Sequence, residues 1–293
     1  MLIRDLFKQK NRTLSFEVFP PVREGNLESL FTTIAELKEL NPDFISVTYG
    51  AGGGTRDKTI EIASRVKNAI GGEALAHLTC VGSSRDDIAR ILDDMKAQSI
   101  ENILALRGDP PRGRDTAWVP HPDGLRHANE LVELIRSLGS FSVGVAAFPE
   151  GHPESVDRDE DARVLALKQQ AGAEFAVTQL FFRVEDYERM VDLAGRHGVT
   201  MPIVPGIMPV TNVAQIERFA ALSGAQFPAD LAARFHAVAD DPEAVVRLGV
   251  DVAAEMSQRL LELGAPGLHF YTLNRSRSTI EVYQALGLGA ATG

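Results

Sequence analysis

The sequence predicts an α/β protein, a (β/α)8 TIM barrel with extra helices between strands seven and eight. Three observations carry that prediction. Eight short runs are rich in Val, Ile, Leu, Phe and Ala, a stretch with helical periodicity follows each, and no Pro/Gly/Ser-rich linker divides the 293 residues. Repeated strand–helix units build parallel sheets, and eight unbroken periods match one closed barrel better than two doubly wound domains. The expectation is one barrel domain spanning residues 1–293.

In chain order the strand runs are LSFEVFP (14–20), DFISVTYG (43–50), ALAHLTC (74–80), NILALRGD (102–109), SVGVAAFP (142–149), FAVTQLFF (175–182), PIVPGIMP (202–209) and GLHFYTLN (267–274). Thr55, Ser84 and Asn212 are helix-start signals, because their side chains can accept from the unpaired amides of a first turn. The helical stretch after Asn274 is shorter than the others. Run starts fall about 30 residues apart except for the last interval of about 65, which leaves room for additional helices near 228–238 and 242–263.

Composition excludes several classes. Hydrophobic residues at 44% and charged residues at 24% are those of a globular chain, against disorder or coiled coil. A formal net charge of −10 sets the mean field against nucleic acid and anionic membrane, leaving room for a local basic pocket. The single cysteine, Cys80, can form no internal disulfide and no cysteine metal cluster. With no apolar run near 18 residues and a charged N-terminus, the expectation is a soluble, cytoplasmic protein with no membrane partner.

Active sites of such barrels lie at the C-terminal ends of the strands, which makes the run ends the candidates. They offer Glu17, Thr48 and Tyr49, His77 and Thr79, Arg107 and Asp109, Gln179, and Asn274 with Arg275. The glycine cluster at 49–55 fails as a dinucleotide fingerprint, because Thr55 stands at the third glycine and no acidic residue ends the next strand. It reads instead as a turn that lets backbone amides approach a ligand. No HExxH or phosphate-binding Walker sequence occurs, and His121, His127 and His152 stand in unlike contexts, so no metal is expected.

Glu17 interrupts an apolar strand just before Pro20 and Pro21. Burial raises a carboxyl pKa, and a glutamate so tuned can hold a proton at neutral pH and act as general acid. The competing reading is a glutamate paired with a barrel lysine or arginine. Asp109 follows Arg107 and Gly108, and its competing reading is an arginine-paired cap for the next loop. Two carboxyls on one rim can divide the roles, one protonated and one ionised.

Taken together, SFEVFPP, SVTYGAGG, AHLTC, ALRGDPP, VAAFPEGHPE, TQLFF, PIVPGIMPVTN and HFYTLNRS resemble the methylenetetrahydrofolate reductase family in its compact bacterial form, over essentially the whole chain. The resemblance implies a catalytic barrel of one-carbon metabolism that reduces 5,10-methylenetetrahydrofolate to 5-methyltetrahydrofolate with NADH or NADPH, usually relayed through FAD. It makes Glu17 the general acid to folate N10. Asp109 becomes the carboxylate between flavin and pterin, favouring a 5-iminium cation. Gln179 would hydrogen-bond the pterin, Gln215 and Phe219 would contact folate or nicotinamide, and Arg275 would hold the glutamate tail. Read alone, Phe219 is ordinary helix core and Arg275 equally a structural ion pair. Compact members often form dimers or tetramers, so a homo-oligomer is possible on this reading.

The flavin positions implied are Thr48, Tyr49, Ala51, His77, Arg107, Gly108, Asp109, Ala128, His152, Asp161 and Lys168. The chain departs from the pattern at His127, where a tyrosine is usual, and at Val164 and Leu167, where polar or basic groups are common; Phe148 lacks the hydroxyl of some relatives. Valine and leucine cannot bond a phosphate or ribose. FAD contacts on that side are therefore expected to be fewer, and the alternative is direct hydride transfer from NAD(P)H to folate without flavin. From other classes, a barrel lyase or aldolase would need a Schiff-base lysine or metal at the rim, which the strand ends do not supply. A non-catalytic pterin-binding protein would have no use for Glu17.

Overall fold

The structure is a computed structural model that describes residues 1–21, 27–49, 56–110 and 116–288. The glycine cluster from Gly50 to Thr55, including Ala51, lies outside them. Helix α1 (Ile3–Gln9) leads into alternating strands and helices: β1 (Thr13–Val18), α2 (Leu27–Lys38), β2 (Phe44–Val47), α3 (Arg56–Asn68), β3 (Ala74–Thr79), α4 (Arg85–Ala97), β4 (Asn102–Leu106), α5 (Ala128–Leu138), β5 (Ser142–Ala147), α6 (Arg158–Gln170), β6 (Phe175–Thr178) and α7 (Val184–Arg196). There follow β7 (Ile203–Val204), β8 (Gly206–Ile207), α8 (Val213–Ser223), α9 (Ala229–His236), α10 (Pro242–Glu262), β9 (Gly267–Tyr271) and α11 (Arg277–Ala285).

All pairings between these strands are parallel, in the order β7-β6-β5-β4-β3-β2-β1-β9-β8. The two ends of that order are consecutive halves of the seventh run, so the sheet closes into the expected barrel. The seventh strand is two strands because Pro205 has no N–H to give the ladder. β7 pairs with β6, β8 pairs with β9, and the Pro205 carbonyl accepts from His269 N at 3.0 Å. Other strands stop one to four residues short of their runs, whose last residues form the rim. Helices α9 and α10 fill the long interval, Ser84 closes a capping box with Asp87, and Asn212 caps α8.

Alternation along each strand divides two cores. Phe16, Val18, Ile45, Val47, Ala76 and Leu78 face the helical ring in the main hydrophobic cluster. Leu75, Leu104, Phe44, Phe175 and Val177 face the axis and meet Ile3 and Leu6 of α1, which closes the N-terminal mouth. That helix was not anticipated from the sequence. It is fixed by Ile3 N donating to Asn102 Oδ1 (2.8 Å) and Arg4 N donating to Ser142 Oγ (3.0 Å). The polar groups at that mouth, Asn102 and Ser142, are taken up by α1, whereas those nearer the C-terminal ends of the strands face the rim half of the axis.

Candidate active site

Glu17 enters that half from β1, where the register sets it between Ser46 and Tyr271. Its side chain is 18% exposed, and its Oε2 lies 3.4 Å from His77 Nε2 and 3.5 Å from His269 Nε2. Each imidazole is held by a serine: Ser46 Oγ is 2.7 Å from His77 Nε2, and Ser15 Oγ is 2.8 Å from His269 Nδ1. Burial pushes the His77 pKa down to about 4, against the pull of the Glu17 charge, so His77 is a neutral imidazole near pH 7. Burial, with the Glu17 charge second, holds the Tyr271 pKa well above its ordinary value, and its hydroxyl donates to the Thr178 carbonyl. No lysine or arginine among the described residues pairs with Glu17. His269, Tyr271, Ser15 and Ser46 were not among the expected site residues, although each is a polar residue at an axis-facing position of an apolar strand.

Beside the axis a cleft of about 560 Å³ opens between the ends of β4, β5 and β6 and the helices α5 and α6. It gathers Arg107, Gly108, Asp109, Ala128, His152, Asp161, Lys168 and Gln179, and also His127, Phe148, Val164 and Leu167. Gly108 is required there. Its φ is +88°, and a Cβ would stand 2.5 Å from Val81 Cγ1, so only glycine carries the chain from Arg107 to Asp109. The sole tryptophan, Trp118, braces this turn: its Nε1 donates to the Gly108 carbonyl (3.1 Å), and the Arg107 guanidinium lies 5.2 Å from its ring centroid.

The polar groups of the cleft are tied to one another. Arg107 forks onto Glu154 at 2.6 and 2.7 Å. Asp161 accepts from His152 N (2.8 Å) and Ser155 Oγ (2.5 Å), and thus braces the loop after β5. His152 Nδ1 accepts from Glu154 N, which places the ring proton of the neutral form on Nε2, and burial, then the Arg107 charge, lowers its pKa. Lys168 is buried with its Nζ donating to the Ala146 carbonyl (2.8 Å), and burial pushes its pKa down to about 8. Gln179 Oε1 accepts from Leu180 N (2.8 Å). Val164 and Leu167 do form part of the cleft wall, Leu167 with 39% exposure, while Leu165 and Ala166 of the same helix take the core.

Several expected residues lie outside this cleft. Glu17 and His77 belong to the barrel axis. Thr48 accepts from Thr59 Oγ1 at the end of β2, and Tyr49 packs on the main core. Gln215 is exposed in the first turn of α8, Phe219 packs against the cluster of Val213, Ile216 and Phe235, and Arg275 is exposed beyond β9. The described residues gather no group of three His, Cys, Asp or Glu that could hold a metal ion. None of their helices is long and apolar enough to cross a membrane.

Comparison with known proteins agrees with this geometry. The family model for methylenetetrahydrofolate reductase matches residues 2–287. The 5,10-methylenetetrahydrofolate reductase of Escherichia coli is 38% identical over 275 residues, covering 94% of this chain and 90% of that protein. Methylenetetrahydrofolate reductase (NADH) 1 of Arabidopsis thaliana is 38% identical over 98% of this chain, which spans only half of the plant protein. Among solved structures, a Clostridium thermocellum protein described as binding two copies of 5-methyl-5,6,7,8-tetrahydrofolic acid superposes with a TM-score of 0.65 over 99% of this chain and 98% of its own, at 14% identity. The fold is shared with the last of these, the sequence with the first two, and the chain belongs to the methylenetetrahydrofolate reductase family.

Proposed function

We propose that this protein reduces 5,10-methylenetetrahydrofolate to 5-methyltetrahydrofolate with NADH or NADPH, Glu17 acting as general acid. The observation that carries the reading is the Glu17 carboxyl, the one carboxyl of the described barrel axis, near the rim end of a buried strand. Opening the five-membered ring of the substrate needs a proton at N10 and leaves a 5-iminium cation able to accept hydride. Glu17 supplies that proton. The neutral His77 and the serine-held His269 flank it, their Nε2 atoms at 3.4 and 3.5 Å. Asp109, exposed on the rim behind Gly108, sets negative charge beside the iminium. Gln179, whose carbonyl is already engaged, donates from its amide to the pterin, and Arg275 takes the glutamate tail by a guanidinium–carboxylate fork.

The cleft fits a flavin in part. Phe148, Val164 and Leu167 supply apolar wall, and Arg107, His152 Nε2 and Lys168 are the groups that would hold it. Bound FAD would accept hydride from the nicotinamide and return it to folate. One observation favours a second reading, in which FAD is held loosely or is dispensable. The cations of the cleft are engaged within the chain: Arg107 with Glu154, Arg163 with Glu160, Arg158 with Asp186, Lys168 with a carbonyl. A pyrophosphate has to displace carboxylates to reach the arginines, and Val164 and Leu167 return nothing.

The test is methylenetetrahydrofolate-dependent oxidation of NADH and of NADPH by freshly purified protein, each with and without added FAD, beside its flavin absorbance. A yellow protein, or activity restored by FAD, supports the relay. A colourless protein that turns over supports direct transfer, and no folate-dependent oxidation in either condition refutes the reductase reading.

A further inference from the structure

The rim contains a device built on Asn274 that goes beyond the roles expected of Glu17 and Arg275. β9 and β1 last pair at Tyr271 and Glu17, and β1 then runs through Phe19 into Pro20 and Pro21. Beyond Tyr271 the backbone of Phe19 has no strand on that side to satisfy it. Asn274 takes the place of that strand: its Oδ1 accepts from Phe19 N (2.9 Å) and its Nδ2 donates to Phe19 O (2.8 Å), as a peptide group would. A second link runs beside it. Thr272 Oγ1 donates to the Glu17 carbonyl (2.7 Å) and accepts from Asn274 N (3.2 Å).

The turn is held in a costly conformation. Leu273 has φ +51° and Asn274 φ +57°, consecutive left-handed residues of which neither is glycine. Leucine is poorly suited to that region, and such residues persist only where their surroundings over-determine them, most often at functional sites. Here the outcome is the placement of Arg275, whose backbone N donates to Thr272 O (2.9 Å) and whose side chain is exposed on the rim.

We propose that Asn274 is a positioning residue that holds the Arg275 turn and the Glu17 strand at one fixed separation, so that acid and tail-binding cation act on a single bound folate. The proposal rests on the reductase reading above. Asparagine suits the task because it tolerates left-handed φ and carries donor and acceptor together.

The experiment compares wild type, Asn274→Gly and Asn274→Asp, with FAD supplied throughout. Glycine keeps the left-handed backbone and deletes both bonds, while aspartate keeps the acceptor for Phe19 N and loses the donor. The glycine variant is expected to lose about tenfold to a hundredfold in kcat/KM for methylenetetrahydrofolate, the scale of a misplaced reacting group, with the KM for NADH unchanged. Aspartate should fall between, and Arg275→Ala combined with Asn274→Gly should raise the folate KM by less than the product of the single effects. A lowered Tm with unchanged folate kcat/KM makes Asn274 a structural brace and overturns the proposal, as does an equal loss in folate and NADH parameters. If the glycine variant does not fold, Asn274→Asp must show the selective folate loss by itself. Wild-type protein without folate reduction would overturn the reductase reading as well, and is thereby distinguished from failure of the positioning role alone.

Discussion

Two imidazoles, two serine hydroxyls and one carboxyl share the barrel axis, and the protonation of His77 ties that arrangement to pH. Its pKa is about 4 in the folded protein against 6.5 for an unburied imidazole. The folded state therefore binds fewer protons than the unfolded state between those values. Stability is unaffected by this group above pH 6.5 and falls as pH drops from 6.5 towards 4, by up to something on the order of 3 kcal/mol. His77→Asn should flatten that fall in the thermal midpoint measured against pH. An unchanged pH slope in the variant would mean that His77 is not held neutral. Glu17 itself was legible in the sequence, as a carboxylate inside an apolar strand ending in two prolines. Its partner His269 was not, because GLHFY reads as a buried strand and only alternation across the closed barrel shows that His269 and Tyr271 face inward.

At the scale of elements, α1 shows what periodicity misses. Seven residues with apolar positions 3, 6 and 7 are too short to announce a helix, yet they seal the barrel mouth on Phe44, Leu75, Leu104 and Phe175. Ile3 is fully buried there, so Ile3→Ala should cost about 2–4 kcal/mol in denaturant unfolding. A loss below ~1 kcal/mol would show that α1 packs loosely. The strands and ring helices were readable because each strand is buried on both faces and writes a continuous apolar run. Their ends were not, since the rim residues Thr48, Arg107 and Gln179 lie past the strand limits yet each keeps one backbone bond to the neighbouring strand, to Val18 O, from Val81 N and to Ala147 O. The split of the seventh run at Pro205 was not anticipated, because whether a proline divides a strand depends on the neighbour that its missing N–H would have met.

For the whole molecule, the axis and the cleft are distinct environments. The axis is nearly closed and built around one carboxyl; the cleft is open, lined by ion pairs and by the apolar faces of Val164 and Leu167. A positive charge added to that wall should favour an anionic dinucleotide. Leu167→Lys is expected to tighten FAD by about tenfold to a hundredfold, the worth of one charge-assisted hydrogen bond of ~1.5–3 kcal/mol, in a flavin fluorescence titration. Unchanged affinity would show that Leu167 does not face the phosphates.

The central claim, that Glu17 protonates the folate, is tested most directly by Glu17→Gln in the methylenetetrahydrofolate-dependent NADH oxidation assay, with folate binding measured on the same protein. The amide keeps the shape of the side chain and removes the proton it delivers. Turnover should fall by about a hundredfold to ten-thousandfold, the range of a lost general acid, with folate affinity little changed. Turnover equal to wild type would contradict the account and leave the proton to another group.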